Sequence, residues 1–102
     1  MASRLELHEE LCTILGTKNA YFNPPESLKM EYPCIRYKLA DIDSKYSNNK
    51  KYKNTKQYEA IVIDRDPDSE IYDKVLEHFA MSNFDRMYTA ENLNHFVLTL
   101  YY

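Results

Sequence analysis

The residues best suited to chemistry are three histidines and two cysteines, and they are scattered along the chain. None of His8, His78 and His95 is interpreted as part of a metal site or as a general base. Cys12 and Cys34 lie 22 positions apart, and neither belongs to a CxxC pair. We therefore expect surface or capping histidines, packed and reduced thiols, no metal site and no catalytic residues.

An alternating acidic run from Asp64 to Glu70 could attract a hard cation. An EF-hand loop needs a glycine at its sharp turn and a glutamate at its twelfth position. Here Pro67 interrupts the run and Val75 takes the twelfth position, so helix capping explains these acids better. The chain's single glycine, Gly16, excludes phosphate-cradling and dinucleotide-binding loops, which need several. The sequence predicts a protein that is not an enzyme and uses no cofactor.

A basic segment on an otherwise acidic chain is the most distinctive feature. The 102 residues include 13 Lys or Arg and 16 Asp or Glu, for a net charge of −3. Residues 45–56 hold five lysines and no acid, so the remainder carries −8. The segment is interpreted either as a solvated hairpin loop or as an arm that binds an acidic surface of another copy or another protein. The arm's candidate contact residues are Lys45, Tyr46, Lys50, Lys51, Tyr52, Lys53 and Lys56.

Tyrosine is also abundant, with ten residues, whereas tryptophan is absent. Tyrosine is amphipathic and is enriched at protein interfaces. The sequence ends in Tyr101 and Tyr102, where polar residues are usual. We expect the last strand either to pair inside the sheet or to extend into a neighbouring molecule, and both tyrosines are candidate interface residues.

Two helices and five strands are expected to position these residues. Ser3 and Glu6 form a capping box and Gly16 can end a helix, which together predict a helix over 4–15. Asp66 as a cap with Pro67 at the first helical position predicts a second helix that runs to about residue 81. Alternating apolar residues predict strands over 34–43 and 95–101. A stretch that is apolar on both faces predicts a central strand over 58–64. Further strands are expected over 20–22 and 85–88, with a polar turn over 90–94.

The resulting order is α-β-β-β-α-β-β. Short turns between strands favour a mainly antiparallel sheet with both helices packed against it, which is an α+β fold. We expect a single domain over 1–102, with a long hairpin loop between the second and third strands that forms the basic arm at about 44–56. The apolar stretches are too short to span a bilayer, and the first residues have no apolar core, so neither a membrane segment nor a signal peptide is expected.

Several short motifs extend over nearly the whole chain. They are Tyr32-Pro33-Cys34-Ile35-Arg36-Tyr37, the lysine- and asparagine-rich segment, Ile63-Asp64-Arg65-Asp66-Pro67-Asp68-Ser69, Phe84-Asp85-Arg86 and Tyr88-Thr89-Ala90-Glu91-Asn92-Leu93-Asn94-His95. In combination they resemble small phage and prophage tail proteins, specifically the tail completion (tail terminator) and neck proteins of long-tailed phages. The motifs are structural in character and carry no catalytic residues.

The resemblance implies a structural virion protein, made in the host cytoplasm, whose copies form a homo-oligomeric ring. A hexamer is expected at the head-proximal end of the tail tube, where the ring would stop tube polymerisation and join tail to head. Its partners would be the tail tube protein and the head–tail connector or neck proteins, with no direct contact to nucleic acid. The alternatives are a head-completion (stopper) protein, a minor tail protein of the neck, and a small nucleic-acid-binding module that uses the lysine-rich loop.

Overall fold

The structure is a computed structural model that describes residues 3–25, 27–43 and 55–102. Within these ranges the elements follow the predicted order, and the predicted α+β fold is confirmed. Residues 44–54, which include most of the proposed basic arm, lie outside the described residues. The elements are α1 (Arg4–Leu15), β1 (Ala20–Phe22), β2 (Cys34–Asp43), β3 (Thr55–Asp64), α2 (Ile71–His78), β4 (Ser82–Ala90) and β5 (Leu93–Tyr101).

The five strands form one sheet in the order β1-β2-β3-β5-β4. β1 runs parallel to β2, and the other three pairs are antiparallel, as predicted for a mainly antiparallel sheet. β5 lies between β3 and β4, so the last strand pairs inside the sheet. β1 and β4 are the two edge strands.

Helix α1 has the two ends that its sequence predicts. The Glu6 N–H donates to Ser3 Oγ and the Ser3 N–H donates to Glu6 Oε1, both at 3.2 Å, which completes the capping box. Gly16 ends the helix with a φ of 83° in the left-handed region, and its N–H donates to the Cys12 carbonyl at 2.8 Å. The helix therefore occupies the predicted residues.

Helix α2 begins four residues later than predicted, at Ile71 instead of Pro67. The Asp68 N–H donates to Asp66 Oδ1 at 2.9 Å, and the Ile71 N–H donates to Ser69 Oγ at 3.2 Å. Short polar side chains that bond to the backbone two residues on stabilise turns in competition with helix. The acidic run is therefore a turn that precedes the helix.

The same helix ends at His78, three residues before the predicted end near Met81. Phe79 is already extended, with φ −99° and ψ 113°. The Ser82 hydroxyl donates to the Phe79 carbonyl at 2.8 Å, with a longer contact of 3.3 Å to the Leu76 carbonyl. Ser82 is the first residue of β4, so the start of the strand satisfies carbonyls that a longer helix would have used.

The hairpin of β4 and β5 is longer than predicted, because its turn needs only two residues. Glu91 and Asn92 have φ values of 53° and 65°, which let Ala90 pair directly with Leu93. Consecutive positive φ values are typical of the tight turns that match the twist of a hairpin. The predicted strands 85–88 and 95–101 become Ser82–Ala90 and Leu93–Tyr101, and β3 begins at Thr55 instead of residue 58.

Both faces of the sheet bury apolar side chains. The helix-covered face holds the larger core, formed by Leu7, Leu11, Ala20, Ile35, Tyr37, Tyr58, Ala60, Val62, Val75, Phe79, Phe96, Leu98 and Leu100. A smaller core on the opposite face consists of Cys34, Ile61, Ile63 and Val97, with Tyr21, Met30, Tyr32 and Leu93 packed against it. The central strands β3 and β5 thus contribute to both cores, as the doubly apolar sequence of β3 predicts.

We expect Gly16→Ala to lower the free energy of unfolding by about 1 kcal/mol, because alanine is strained at a positive φ. Apart from Gly16 and its two neighbours in the chain, no described atom lies within 4 Å of the position that a Cβ would take there, so crowding adds nothing to this cost. Urea unfolding measures the effect. Gly16→Asn is the matched control, since asparagine tolerates this conformation and should lose less stability; equal losses in the two variants would contradict the explanation.

Candidate interaction surface

β4 is an edge strand of the sheet, and most of its residues are exposed. No described strand pairs with this edge. The seven residues from 83 to 89 are all exposed, and they include three large hydrophobic side chains: Phe84 at 47%, Met87 at 43% and Tyr88 at 41% exposure. A free edge presents unpaired backbone N–H and C=O groups that can accept another strand. Together these features make the β4 edge a candidate protein-binding surface.

A β-bulge at Asp85 decides which way these side chains face. Phe84 pairs with Leu98, whereas Arg86 pairs with the adjacent Val97, so Asp85 is the extra residue. Met87 then pairs with Phe96, which places it on the helix-covered face together with Phe84. In a regular strand these two residues, three positions apart, would lie on opposite faces.

Neighbouring aromatic rings hold the exposed side chains of β4 in place. The Tyr72 ring of α2 lies 5.8 Å from the Phe84 ring and stacks on Phe96, with 4.6 Å between centroids and 7° between planes. On the opposite face Tyr88 stacks on His95, with 4.6 Å between centroids and 12° between planes. The exposed apolar surface of β4 is therefore supported by contacts from α2 and β5.

A second cluster ties the end of the chain to both helices. Glu10 of α1 lies 2.8 Å from His78 of α2, measured from Oε1 to Nε2, and its other oxygen accepts a hydrogen bond from the Tyr102 hydroxyl. The Tyr102 backbone N–H donates to the Lys56 carbonyl at 2.9 Å. The carboxylate thus bridges three elements, and we call Glu10, His78 and Tyr102 the terminal cluster.

The terminal cluster favours a neutral tyrosine beside an ionised carboxylate. Burial, and then the neighbouring Glu10 carboxylate, raise the pKa of Tyr102 to about 12. The hydrogen bond from Tyr102 is the main reason that the pKa of Glu10 is lowered, and His78 lowers it further. Near neutral pH the proton stays on Tyr102, so the contact is a charge-assisted hydrogen bond that stabilises the fold.

The other chemically notable residues are His8 and the two cysteines. His8 Nδ1 is 2.7 Å from the Tyr37 hydroxyl. Cys12 is half-buried, and Cys34 is fully buried in the smaller core; both are free thiols. Burial raises the pKa of the Cys34 thiol to about 12, which keeps it protonated and unreactive near neutral pH.

Three of the predicted interface residues, Lys56, Tyr101 and Tyr102, lie together at one end of the sheet. Lys45, Tyr46, Lys50, Lys51, Tyr52 and Lys53 lie outside the described residues. Lys56 begins the pairing of β3 with the chain terminus, where it bonds to Tyr102, and Tyr101 pairs with Gln57. The described members of the arm and of the terminal strand are therefore neighbours. Sequence reasoning missed the contacts of Tyr102 with α1, because Glu10 and Tyr102 are 92 positions apart.

The described residues contain neither a metal-binding cluster nor a membrane-spanning helix. In residues 3–25, 27–43 and 55–102 no three or more His, Cys, Asp or Glu side chains are grouped so that they could hold a metal ion. In the same part of the chain, neither helix has the length and apolar character needed to cross a membrane.

Comparisons of the chain with protein-family models, with curated proteins and with solved structures find no match.

We expect Tyr102→Phe to lower the free energy of unfolding by about 1 kcal/mol at neutral pH, since it removes a hydrogen bond to a carboxylate that is 38% exposed. The raised pKa of Tyr102 means that this stabilisation is lost as pH rises from about 10 towards 12. The lowered pKa of Glu10 means that it is also lost as pH falls below 4.5.

Urea unfolding of wild type and of Tyr102→Phe, repeated across pH, measures the difference between their free energies of unfolding. The contributions of other titratable groups cancel in this difference. The difference should be largest between pH 5 and 9 and should shrink on both sides. Tyr101→Phe is the matched control and should show no such profile. A difference that is constant with pH would mean that Tyr102 stabilises the fold by packing alone.

Proposed function

We propose that this protein is a structural virion assembly protein, a tail terminator whose copies form a ring at the head-proximal end of a phage tail tube. A hexamer is the expected ring. In this role the protein is not an enzyme, and it acts in the virion through contacts with its own copies, the tail tube protein and the head–tail connector or neck proteins. The motif resemblance supports this class of protein over others, and it also fits a stopper or a minor tail protein of the neck.

The observation that carries the proposal is the presence of two unlike free edges on one sheet. A closed ring with head-to-tail contacts needs two different surfaces on each copy. β1 has three residues and β4 has nine, and no described strand covers the outer side of either. Within one copy, β1 runs antiparallel to β4. If the ring axis is parallel to the strands, β1 of one copy can therefore pair antiparallel with β4 of the next and continue the sheet.

The positions of the motifs support a molecule with two different ends along that axis. Asn94 donates through Nδ2 to the carbonyls of Asp64 and Arg65, at 3.3 and 3.2 Å. The Arg65 guanidinium lies over the Tyr32 ring, 5.9 Å from its centroid. Residues from three of the motifs thus meet at the end of β3, whereas Lys56 and Tyr102 mark the other end. A ring built around the strand axis would present these two ends on its two faces.

The charge distribution of the chain would help neighbouring copies to associate in one orientation. The arm residues 45–56 are basic and the rest of the chain carries −8. Complementary charges between neighbours steer association and fix orientation more than they add affinity. A basic arm on each copy and an acidic body on the next would therefore favour one sense of assembly. The nucleic-acid alternative predicts instead that the protein binds DNA with an affinity that falls steeply as salt increases.

We expect the triple change of Lys50, Lys51 and Lys53 to Glu to prevent tail termination while leaving the fold intact. Charge changes in a predicted surface loop affect stability little, but they would reverse the arm's interaction with an acidic partner. The measurement is electron microscopy of tail tube protein polymerised with each variant, scoring tube length and the presence of a terminal ring. Thermal unfolding by circular dichroism checks the fold.

The matched control changes three exposed lysines elsewhere, Lys18, Lys29 and Lys74, to Glu, with the same change in net charge. Control protein should still terminate tubes. Normal termination by the arm variant would show that the lysines only keep the loop soluble. A wild-type protein that stays monomeric in low and high salt, alone and with tube protein, would contradict the ring itself.

A further inference from the structure

We propose that the free protein forms a symmetric dimer in which β4 of one copy pairs antiparallel with β4 of a second copy. The occupant of the β4 edge is then a second copy of this chain, and the contact uses the same surface on both. This inference does not depend on the proposed function, because it concerns the protein before any assembly.

The sequence of β4 is complementary to itself when two copies of the strand pair antiparallel. The two-fold axis of the pair then passes through the segment of Asp85 and Arg86. In that register Asp85 lies opposite Arg86 of the second copy, and the same pair recurs on the other side of the two-fold axis. Phe84 lies opposite Met87, and Asn83 lies opposite Tyr88. Two opposite-charge pairs and two apolar pairs therefore form at once, and cross-strand pairs of these kinds stabilise sheets.

The bulge makes this register workable in three dimensions. Side chains that lie opposite each other in an antiparallel pair share one face of the sheet. The bulge at Asp85 places Phe84 and Met87 together on the helix-covered face and Arg86 and Tyr88 on the other. Both apolar pairs of the dimer thus fall on the face that carries Tyr72, whose ring already contacts Phe84. Without the bulge, opposed residues would point to opposite sides.

The charged residues of β4 favour this register over registers shifted along the strand. Asp85 and Arg86 are the charged residues of β4, and within one copy their side chains contact each other, with 2.9 Å between Oδ2 and Nη1. Both are about half exposed, at 48% and 58% of their side chains. A shift of the register by two residues would lose both opposite-charge pairs and both apolar pairs. β4 also contains neither Lys nor Pro, the residues that most often block a free edge.

The proposal predicts that the purified protein sediments at twice its chain mass of 12.2 kDa. Asp85→Arg gives a variant that offers only positive charges at the contact, and Arg86→Asp gives one that offers only negative charges. We expect each variant alone to dimerise about tenfold more weakly than wild type, because both cross-strand pairs become like-charged. Sedimentation velocity over a concentration series measures the dissociation constants.

Mixing the two variants in equal amounts is the decisive step. Opposite charges meet again only between copies of different type, whereas the contact within each copy stays broken in both. The mixture should therefore recover dimers of wild-type affinity, all of them mixed, as a tag on one variant would show. Lys18→Asp, on the exposed segment before β1, is the matched control and should dimerise like wild type.

Three outcomes would overturn the proposal: a wild-type protein that is monomeric at every concentration, a dimer that neither charge reversal weakens, or a mixture that fails to recover. A free protein with the mass of a larger ring would also overturn it, yet would support the proposed function. Tail termination by a protein that never dimerises would leave the proposed function standing, so the two proposals can fail separately. Circular dichroism of each variant confirms that loss of dimer is not loss of fold.

Discussion

Pairing between β3 and β5 at the centre of the sheet is the interaction on which the rest of the structure depends. Ala60, Val62, Phe96 and Leu98 of these strands are buried in the larger core, and Ile61 and Val97 are buried in the smaller core. This pairing buries apolar side chains on both faces, and such burial supplies most of the favourable free energy of folding. It also leaves β4 at the edge and carries Tyr102 to a position beside α1.

The sequence predicted correctly those elements for which the local sequence pattern and the tertiary contacts favour the same structure. Ser3, Glu6 and Gly16 define both ends of α1 through contacts within the helix itself, so the prediction and the structure coincide. Helix α2 was displaced because Asp66 and Ser69 bond to nearby backbone N–H groups and stabilise a turn. β4 was predicted too short, since its exposed residues and its bulge hide the alternation by which a half-buried strand is recognised.

The candidate surfaces were harder to predict than the fold, because they depend on residues that are distant in the sequence. Nothing local links Glu10 with His78 or Tyr102, which are 68 and 92 positions away. Phe84 and Met87 are three positions apart, a spacing that places residues on opposite faces of a regular strand. Only the register of β4 against β5 shows that the bulge brings them together. The basic arm is predicted from composition, a signal that needs no knowledge of contacts.

The free edges of the sheet place two conflicting demands on this protein. The proposed ring would need both edges free, yet a long free edge with exposed apolar side chains favours uncontrolled association. The bulge at Asp85 limits that risk without closing the edge, because a bulge twists the strand and restricts which registers a second strand can adopt. Asp85 and Arg86 restrict them further, since a strand that offers the wrong charges opposite them is disfavoured. We therefore expect the edge to be selective, so that it accepts a strand of complementary pattern and discriminates against most others.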